Sequence, residues 1–273
     1  MKKSSTVYLI CGFLGAGKTT YSKKLAQNTG ALHLNPDDVC MQKYKPQVYE
    51  NNWEACFAKT LDFLWQKVAS YITQNQDVIF DMGFWSKSSR QNAIAKIKQM
   101  GGEPIIHYIY APDFILKQRL MTRSGKIAEQ NLLNFEIIKK SFEAPEQDEN
   151  FVTINNFELP AANQMHKMSV QEKYFNLLKS GRKTIELRLF DEKRQKIKIG
   201  DVIEFSNASN AKDTFFVQVI NLHKAPDFKS LCSKISIQQA GFSSQDELVK
   251  TLEEFYPPQR QKEFGVIGIE IQI

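Results

Sequence analysis

The sequence predicts two domains. Residues 1–156 read as an α/β domain with a parallel five-stranded sheet and a lid, and residues 165–273 as a small α+β barrel. Three observations carry this. The glycine-rich stretch Gly12-Phe13-Leu14-Gly15-Ala16-Gly17-Lys18-Thr19 stands between an apolar run and a helical pattern. Short apolar runs then alternate with helical patterns as far as Ile154. After Asn155 to Gln164, which has no periodicity, several strands follow with helices only at the ends. The length of 273 residues is also more than one domain usually holds.

Taken in order, Val7 to Cys11 reads as a buried strand. Residues 20–28 read as a helix turning Tyr21, Leu25 and Ala26 inward and ending at Gly30. Between them every fixed position of GxxxxGK[ST] is matched. Glycines there let successive backbone N–H groups wrap a phosphate, and the following helix adds its positive end. The pattern predicts ATP binding by Gly12 to Thr19 and Thr20. Lys18 would reach the β- and γ-phosphates, and Thr19 would hold Mg²⁺.

Ala31 to Leu34 is a short strand that delivers Asn35-Pro36-Asp37-Asp38 as a loop. Ligands of doubly wound sheets sit beyond the strands' carboxyl ends, so Asp37 and Asp38 arrive on the edge that carries the phosphate loop. One of them would take a proton from an acceptor hydroxyl or help hold Mg²⁺; the plainer alternative is a pair capping the next helix. Residues 52–73 form an amphipathic helix whose Trp53, Phe57, Leu61, Leu64, Trp65 and Val68 are expected in the core. Val78 to Asp81 is a strand ending in an acid, and Asp81 would organise Mg²⁺.

Met82-Gly83-Phe84-Trp85 leads into a helix carrying Arg90, which Gly101-Gly102 ends. Pro104 to Tyr110 is the next strand, and Asp113 caps a helix over 114–123. Arg119 and Arg123 share one face of it and would neutralise charge on a transferred group; a solvated basic face is the alternative. Ser124-Gly125-Lys126 breaks the chain before a second helix over 131–142, the form of a mobile lid. An acidic loop over 143–149 and a fifth strand, Phe151 to Ile154, complete the domain.

These residues resemble the AAA-type P-loop kinases of the zeta-toxin and polynucleotide-kinase kind. The carrying features are Gly12 to Thr19, Asp37-Asp38, Asp81-Met82-Gly83-Phe84-Trp85 with Arg90, Arg119 with Arg123, and Phe142-Glu143-Ala144-Pro145. The resemblance implies the kinase strand order, an acceptor hydroxyl activated by Asp37, and a lid bearing arginines. Asp38 and Arg90 would then meet the acceptor. One position departs: three residues beyond Asp37, where polynucleotide kinases carry an arginine, stands Cys40.

In the second domain Ser169 with Glu172 reads as a capping box opening a helix that runs to Gly181. Thr184 to Leu189 alternates as a half-buried strand, with Thr184, Glu186 and Arg188 on one face. Gly200-Asp201 turns into the strand Val202 to Phe205; Phe215 to Leu222 is another, Ser244 with Glu247 caps a further helix, and Phe264 to Ile273 closes the domain. The run Gly181 to Arg188 with the later Gly200-Asp201 resembles the ASCH family, small PUA-like β-barrels associated with RNA. That resemblance implies an RNA or nucleotide-like ligand at Lys183, Thr184, Glu186 and Arg188, with Lys193, Arg194, Lys196 and Lys198 nearby. The plain alternative is an internal Glu186–Arg188 pair on a solvated strand. Some members hydrolyse an acylated cytidine through lysine, threonine and glutamate. Here Glu186 stands three residues after Lys183, where their threonine lies, and no acid occurs from Gln239 to Gly241.

Composition excludes other classes. No apolar run approaches the roughly 20 residues that span a membrane, so no membrane partner is expected. Cys11, Cys40, Cys56 and Cys232 have no paired spacing, which points away from disulfides and metal knuckles and towards a reducing cytoplasm. A net charge of +6 is compatible with nucleic acid without arguing for it. The sequence therefore points to an ATP-dependent kinase acting on a nucleic-acid, nucleoside or small-molecule hydroxyl. The alternatives are an ATP-hydrolysing RNA-binding regulator and an amidohydrolase on modified cytidine.

Overall fold

The computed structural model describes residues 4–45, 48, 52–123, 126–159 and 162–273. These form two compact units, 1–111 with 115–157, and 112–114 with 158–273.

The first unit is built on five parallel strands in the order β2-β3-β1-β4-β5. They are β1 (Thr6–Cys11), β2 (Leu32–Leu34), β3 (Val78–Gly83), β4 (Glu103–Tyr110) and β5 (Phe151–Asn155). The helices are α1 (Lys18–Thr29), α2 (Pro36–Lys43), α3 (Trp53–Thr73), α4 (Lys87–Gln99), α5 (Asp113–Met121), α6 (Lys126–Leu133) and α7 (Phe135–Lys140). The central strands β1 and β3 are covered on both faces, as a parallel sheet requires, so they read as continuous apolar runs. Leu9, Phe80 and Ile106 pack with Leu64, Trp65 and Val68 of α3 and with Ala93 and Ile97 of α4.

Several expectations are corrected. Asp37 and Asp38 lie in the first turn of α2, not in a loop. Asn35 is the cap: its side-chain oxygen accepts both their N–H groups, at 2.8 and 3.1 Å, and Pro36 takes the first helical position. On α1 the fully buried residue is Ser22, with Tyr21, Leu25 and Ala26 only half-buried. Trp53 is not in the core; it is 52% exposed. Asp113 is the first residue of α5 rather than its cap. The expected second lid helix is two helices, α6 and α7, and the expected break at Ser124-Gly125 lies outside the described residues.

The second unit carries a sheet in the order β6-β8-β9-β10-β7, curled into a half-barrel. Its strands are β6 (Met165–Val170), β7 (Ile185–Leu189), β8 (Val202–Asn207), β9 (Asn210–Ala225) and β10 (Val266–Gln272). Helices α8 (Glu172–Lys179), α9 (Phe228–Leu231), α10 (Gln245–Phe255) and α11 (Pro258–Phe264) accompany it. Neighbours are antiparallel except β6 and β8, which run parallel. The core joins Phe175 and Leu178 of α8 to Ile203, Phe205, Val217 and Ile269 of the sheet.

Ser169 is a residue of β6 and not a helix cap; Gln171 occupies that position, with no side-chain cap bond. The Ser244–Glu247 box does form. Ser244 Oγ accepts the Glu247 N–H at 3.2 Å, although Glu247 in turn takes the N–H of Ser243 rather than of Ser244.

Asp201 ties the start of this unit together. Only 1% exposed, its carboxylate accepts the N–H groups of Gln164 at 2.8 Å and Lys198 at 2.9 Å, and His166 Nε2 lies 2.8 Å away. Burial alone would raise its pKa, but these donors outweigh burial and hold it below the usual carboxylate value. A depressed folded pKa means the stabilisation is complete above the unfolded pKa and is lost as pH falls through the lower, folded value. Asp201→Asn is expected to cost on the order of 3 kcal/mol at neutral pH. Urea denaturation from pH 7 downwards should show the gap to wild type closing only in strong acid.

Candidate active site

The carboxyl ends of β1 and β3 and the first turns of α1 and α2 enclose a cleft of about 340 Å³. Its floor is the phosphate loop. Gly17, at φ 85°, has no room for a Cβ, which would strike the side-chain amide of Asn156. That amide donates to Ala16 O at 2.7 Å. Arg119 donates to Gly15 O at 3.1 Å and to Asn156 O at 2.8 Å. The loop's carbonyls are tied from behind, and the first-turn N–H groups of α1 remain for a ligand.

Lys18 enters this space with its Nζ donating to Phe13 O at 3.1 Å. Burial drives its pKa down, and the nearby Asp81 charge works against that. Asp81, 4% exposed, has His33 Nε2 at 3.2 Å and accepts Asn35 Nδ2 at 3.1 Å and the Thr19 hydroxyl. Burial raises its pKa, but the donors prevail and it stands below the ordinary carboxylate value. Thr19 and Asp81 thus bring a hydroxyl and a carboxylate oxygen together. This hard-oxygen pair suits Mg²⁺, which takes its remaining ligands from water and phosphates; among the described residues no cluster of three His, Cys, Asp or Glu forms a closed metal cage.

Asp37 lines the same cleft, open to solvent, while Asp38 beside it does not. Asp37 is exposed at the mouth of the cleft but its carboxyl is partly shielded from water there; this desolvation, then the charges of Asp81 and Asp38, raise the Asp37 pKa and make its carboxylate a better proton acceptor. Leu14, Thr20 and Arg123 also line the cleft. Arg119 does not, because its guanidinium braces the loop from behind.

Arg90 is elsewhere altogether. It is 0% exposed and forms a fork with Glu149, Nε at 2.7 Å and Nη2 at 2.8 Å, while Nη1 donates to Phe84 O and Glu143 O. Its expected contact with an acceptor is replaced by a buried ion pair that fastens the acidic loop to α4. Arg90→Ala would strand Glu149, whose pKa that pair holds down, and is expected to cost about 3–5 kcal/mol. Thermal denaturation should register it as a large fall in Tm.

Sequence reasoning missed His33, Asn35, Phe57, Trp85 and Asn156 as parts of this site. Asn35 alone had a local signal, an Asn-Pro-Asp sequence of the kind that opens helices. The others act through contacts between elements distant in sequence.

The second unit holds a smaller cavity of about 180 Å³, walled by Tyr174, Phe242 and Tyr256. Lys183 and Glu186 lie on it, 2% and 5% exposed. Lys183 Nζ donates to Ile185 O and Ala240 O, each at 2.7 Å, and sits 3.4 Å from Glu186. Burial pulls its pKa down against that carboxylate. Arg188 pairs with Glu186 at 3.0 Å and donates to Tyr256 Oη at 2.8 Å and Ser169 O at 3.0 Å. The expected Glu186–Arg188 pair exists, but in a cavity and not on a solvated strand. Thr184 is not part of the lining, and its buried hydroxyl has no partner.

The family model described as an AAA domain matches residues 7–145, and that described as an ASCH domain matches residues 168–273. A P-loop kinase-like domain thus precedes an ASCH domain. No curated protein matches the chain. Among solved structures, the chain is similar to a hypothetical protein at 38% identity over 40% of this chain and 97% of that one, with a TM-score of 0.36. It is similar to a Pyrococcus furiosus protein at 33% identity over 40% and 96%, with a TM-score of 0.33. A gluconokinase from Sinorhizobium meliloti is 15% identical over 59% of this chain and 87% of that one, with a TM-score of 0.43.

Proposed function

Because the chain belongs to the AAA-domain family over residues 7–145, we propose that it is an ATP-dependent phosphotransferase whose ASCH domain recognises RNA or a nucleotide-like ligand. The observation that carries this reading is the meeting of Lys18, Thr19, Asp81 and Asp37 in one cleft. The loop N–H groups and Lys18 bind the triphosphate of ATP. Thr19 and Asp81 would hold Mg²⁺, which would neutralise charge on the phosphates. Asp37 takes the proton of the acceptor hydroxyl, whose oxygen then bonds to the γ-phosphorus. The bond from that phosphorus to the β–γ bridging oxygen breaks, and ADP leaves. Arg123 lies close enough to Lys18 for their charges to interact, and it stabilises the transferred group.

In the ASCH domain, Glu186 and Arg188 offer polar contacts to a ligand within aromatic walls. Lys183 has its donors engaged by Ile185, Ala240 and Glu186, which supports a binding cavity over an amide-hydrolysing site. A cytoplasmic location belongs to this reading, and the four cysteines without disulfide partners support it. No helix among the described residues is long and apolar enough to cross a membrane.

The test uses γ-labelled ATP with the purified chain, RNA, nucleosides and metabolites. Label on an acceptor is expected. Release of free phosphate alone, with RNA retained, would replace this reading with the ATP-hydrolysing RNA-binding regulator.

A further inference from the structure

We propose that the acceptor is an uncharged nucleoside whose base stacks on Phe57 and Trp85, an inference that rests on the phosphotransferase reading above. The cleft changes character along its wall. Lys18, Thr19 and Asp81 make one part of it polar, whereas Pro36, Phe57, Met82 and Trp85 line it alongside Asp37. A sugar acid or polyol needs a polar partner for each of several hydroxyls. Pro36, Phe57 and Met82 supply no such partner, and the cleft's other polar groups, Thr20, Asn35 and Arg123, are too few to meet every hydroxyl of a polyol, while an aromatic base stacks on the ring faces whatever its edge pattern.

Trp85 is held in place. Its ring lies 5.3 Å from that of Phe13 and 5.7 Å from that of Phe142. It also rests against Gly83, where a Cβ would come within 3.1 Å of indole Cδ1 and Nε1 and 3.6 Å of Lys18 Cε. The indole therefore stands beside the lysine that meets the transferred phosphate. Phe57 reaches the cleft from α3, and one turn earlier Trp53 extends the aromatic surface, its ring 6.0 Å from that of Phe57.

Charge selects against a phosphorylated acceptor. Asp37 and Asp38 stand together in the first turn of α2. Cys40 is fully buried, its Sγ 3.2 Å from Thr60 Oγ1, and the cleft's cations, Lys18 and Arg123, are the ones the proposed mechanism gives to the triphosphate, which leaves the carboxylates of α2 to face an acceptor. Such a site repels an anionic acceptor and accepts a neutral one.

The experiment offers the full chain ATP and Mg²⁺ with adenosine, guanosine, cytidine, uridine, gluconate, glycerol or a 5′-hydroxyl oligonucleotide. At least one free nucleoside is expected to be the preferred acceptor. Phe57→Ala should raise the KM for that nucleoside by roughly 10- to 100-fold with the KM for ATP unchanged, and Phe57→Tyr should restore it. The unchanged ATP value shows that the variant is folded. Preference for gluconate, glycerol or the oligonucleotide, or a nucleoside KM that Phe57→Ala leaves alone, overturns the stacking proposal but not the phosphotransferase. Free phosphate with no labelled acceptor overturns both.

Discussion

Lys18→Ala is expected to abolish ATP binding and with it all turnover. The Lys18 ammonium is half-buried, with Phe13 O as its hydrogen-bond partner and a pKa lowered by desolvation. It is thus a charge kept at a cost to stability and offset when phosphate arrives. Removing it should forfeit charge-assisted contacts worth about 3 kcal/mol, more than roughly 100-fold in affinity, before any loss of transition-state stabilisation. The same reasoning gives an opposite sign for the free protein, whose Tm should hold or rise. Calorimetry with and without Mg·ATP checks both: the ATP-induced Tm shift of the wild type should vanish in the variant. An undiminished shift would mean that the loop does not hold the triphosphate.

Asp37→Ala should separate binding from chemistry. The residue lines the cleft without touching the loop's carbonyl braces, so ATP affinity should stay within about two-fold of wild type. Loss of a general base is expected to lower kcat by about 10²–10⁴. In the proposed mechanism Asp37 acts as the carboxylate, and its pKa is raised, so wild-type kcat should fall as pH drops towards that raised value, a dependence the variant should lack. Single-turnover transfer measured from pH 4 to 8 tests this, and full activity in the variant would remove Asp37 from the mechanism.

The phosphate loop and the parallel sheet were legible because their signals are local. A strand, a spaced set of glycines and a helix start need no distant partner to be recognised. Asp81 stands near the carboxyl end of β3, the edge to which the sequence assigned it, whereas Asp37 lies beyond β2 in the first turn of α2. Arg90 and Arg119 were misplaced because sequence shows that a guanidinium exists but not which acceptor takes it. Glu149 and the Gly15 carbonyl claim them through contacts across 59 and 104 positions. Trp53 shows the reverse error: helical spacing put it with the core, yet it falls at the first residue of α3, where the packed face has not begun. Ser169 failed for a different reason. Its four-residue pattern fits a capping box, but pairing with β8 recruits the segment into a sheet, and tertiary context outweighs a cap of about 1 kcal/mol.

The position of β1 bears on how the molecule is made. Val7 faces Val78 on one side and Pro104 on the other, so the strand of this sheet that is synthesised before the other four is its middle one. It waits, apolar and unpaired, while α1, α2 and α3 are synthesised, for several seconds at about 5–20 residues per second. The second unit begins differently, since β8 and β9 are neighbours in sequence and can join as soon as both emerge. A growing chain of this protein thus carries an apolar strand that stays unpaired until its neighbours emerge, and its yield on overexpression should depend on whatever shields Val7 to Cys11 until β3 arrives.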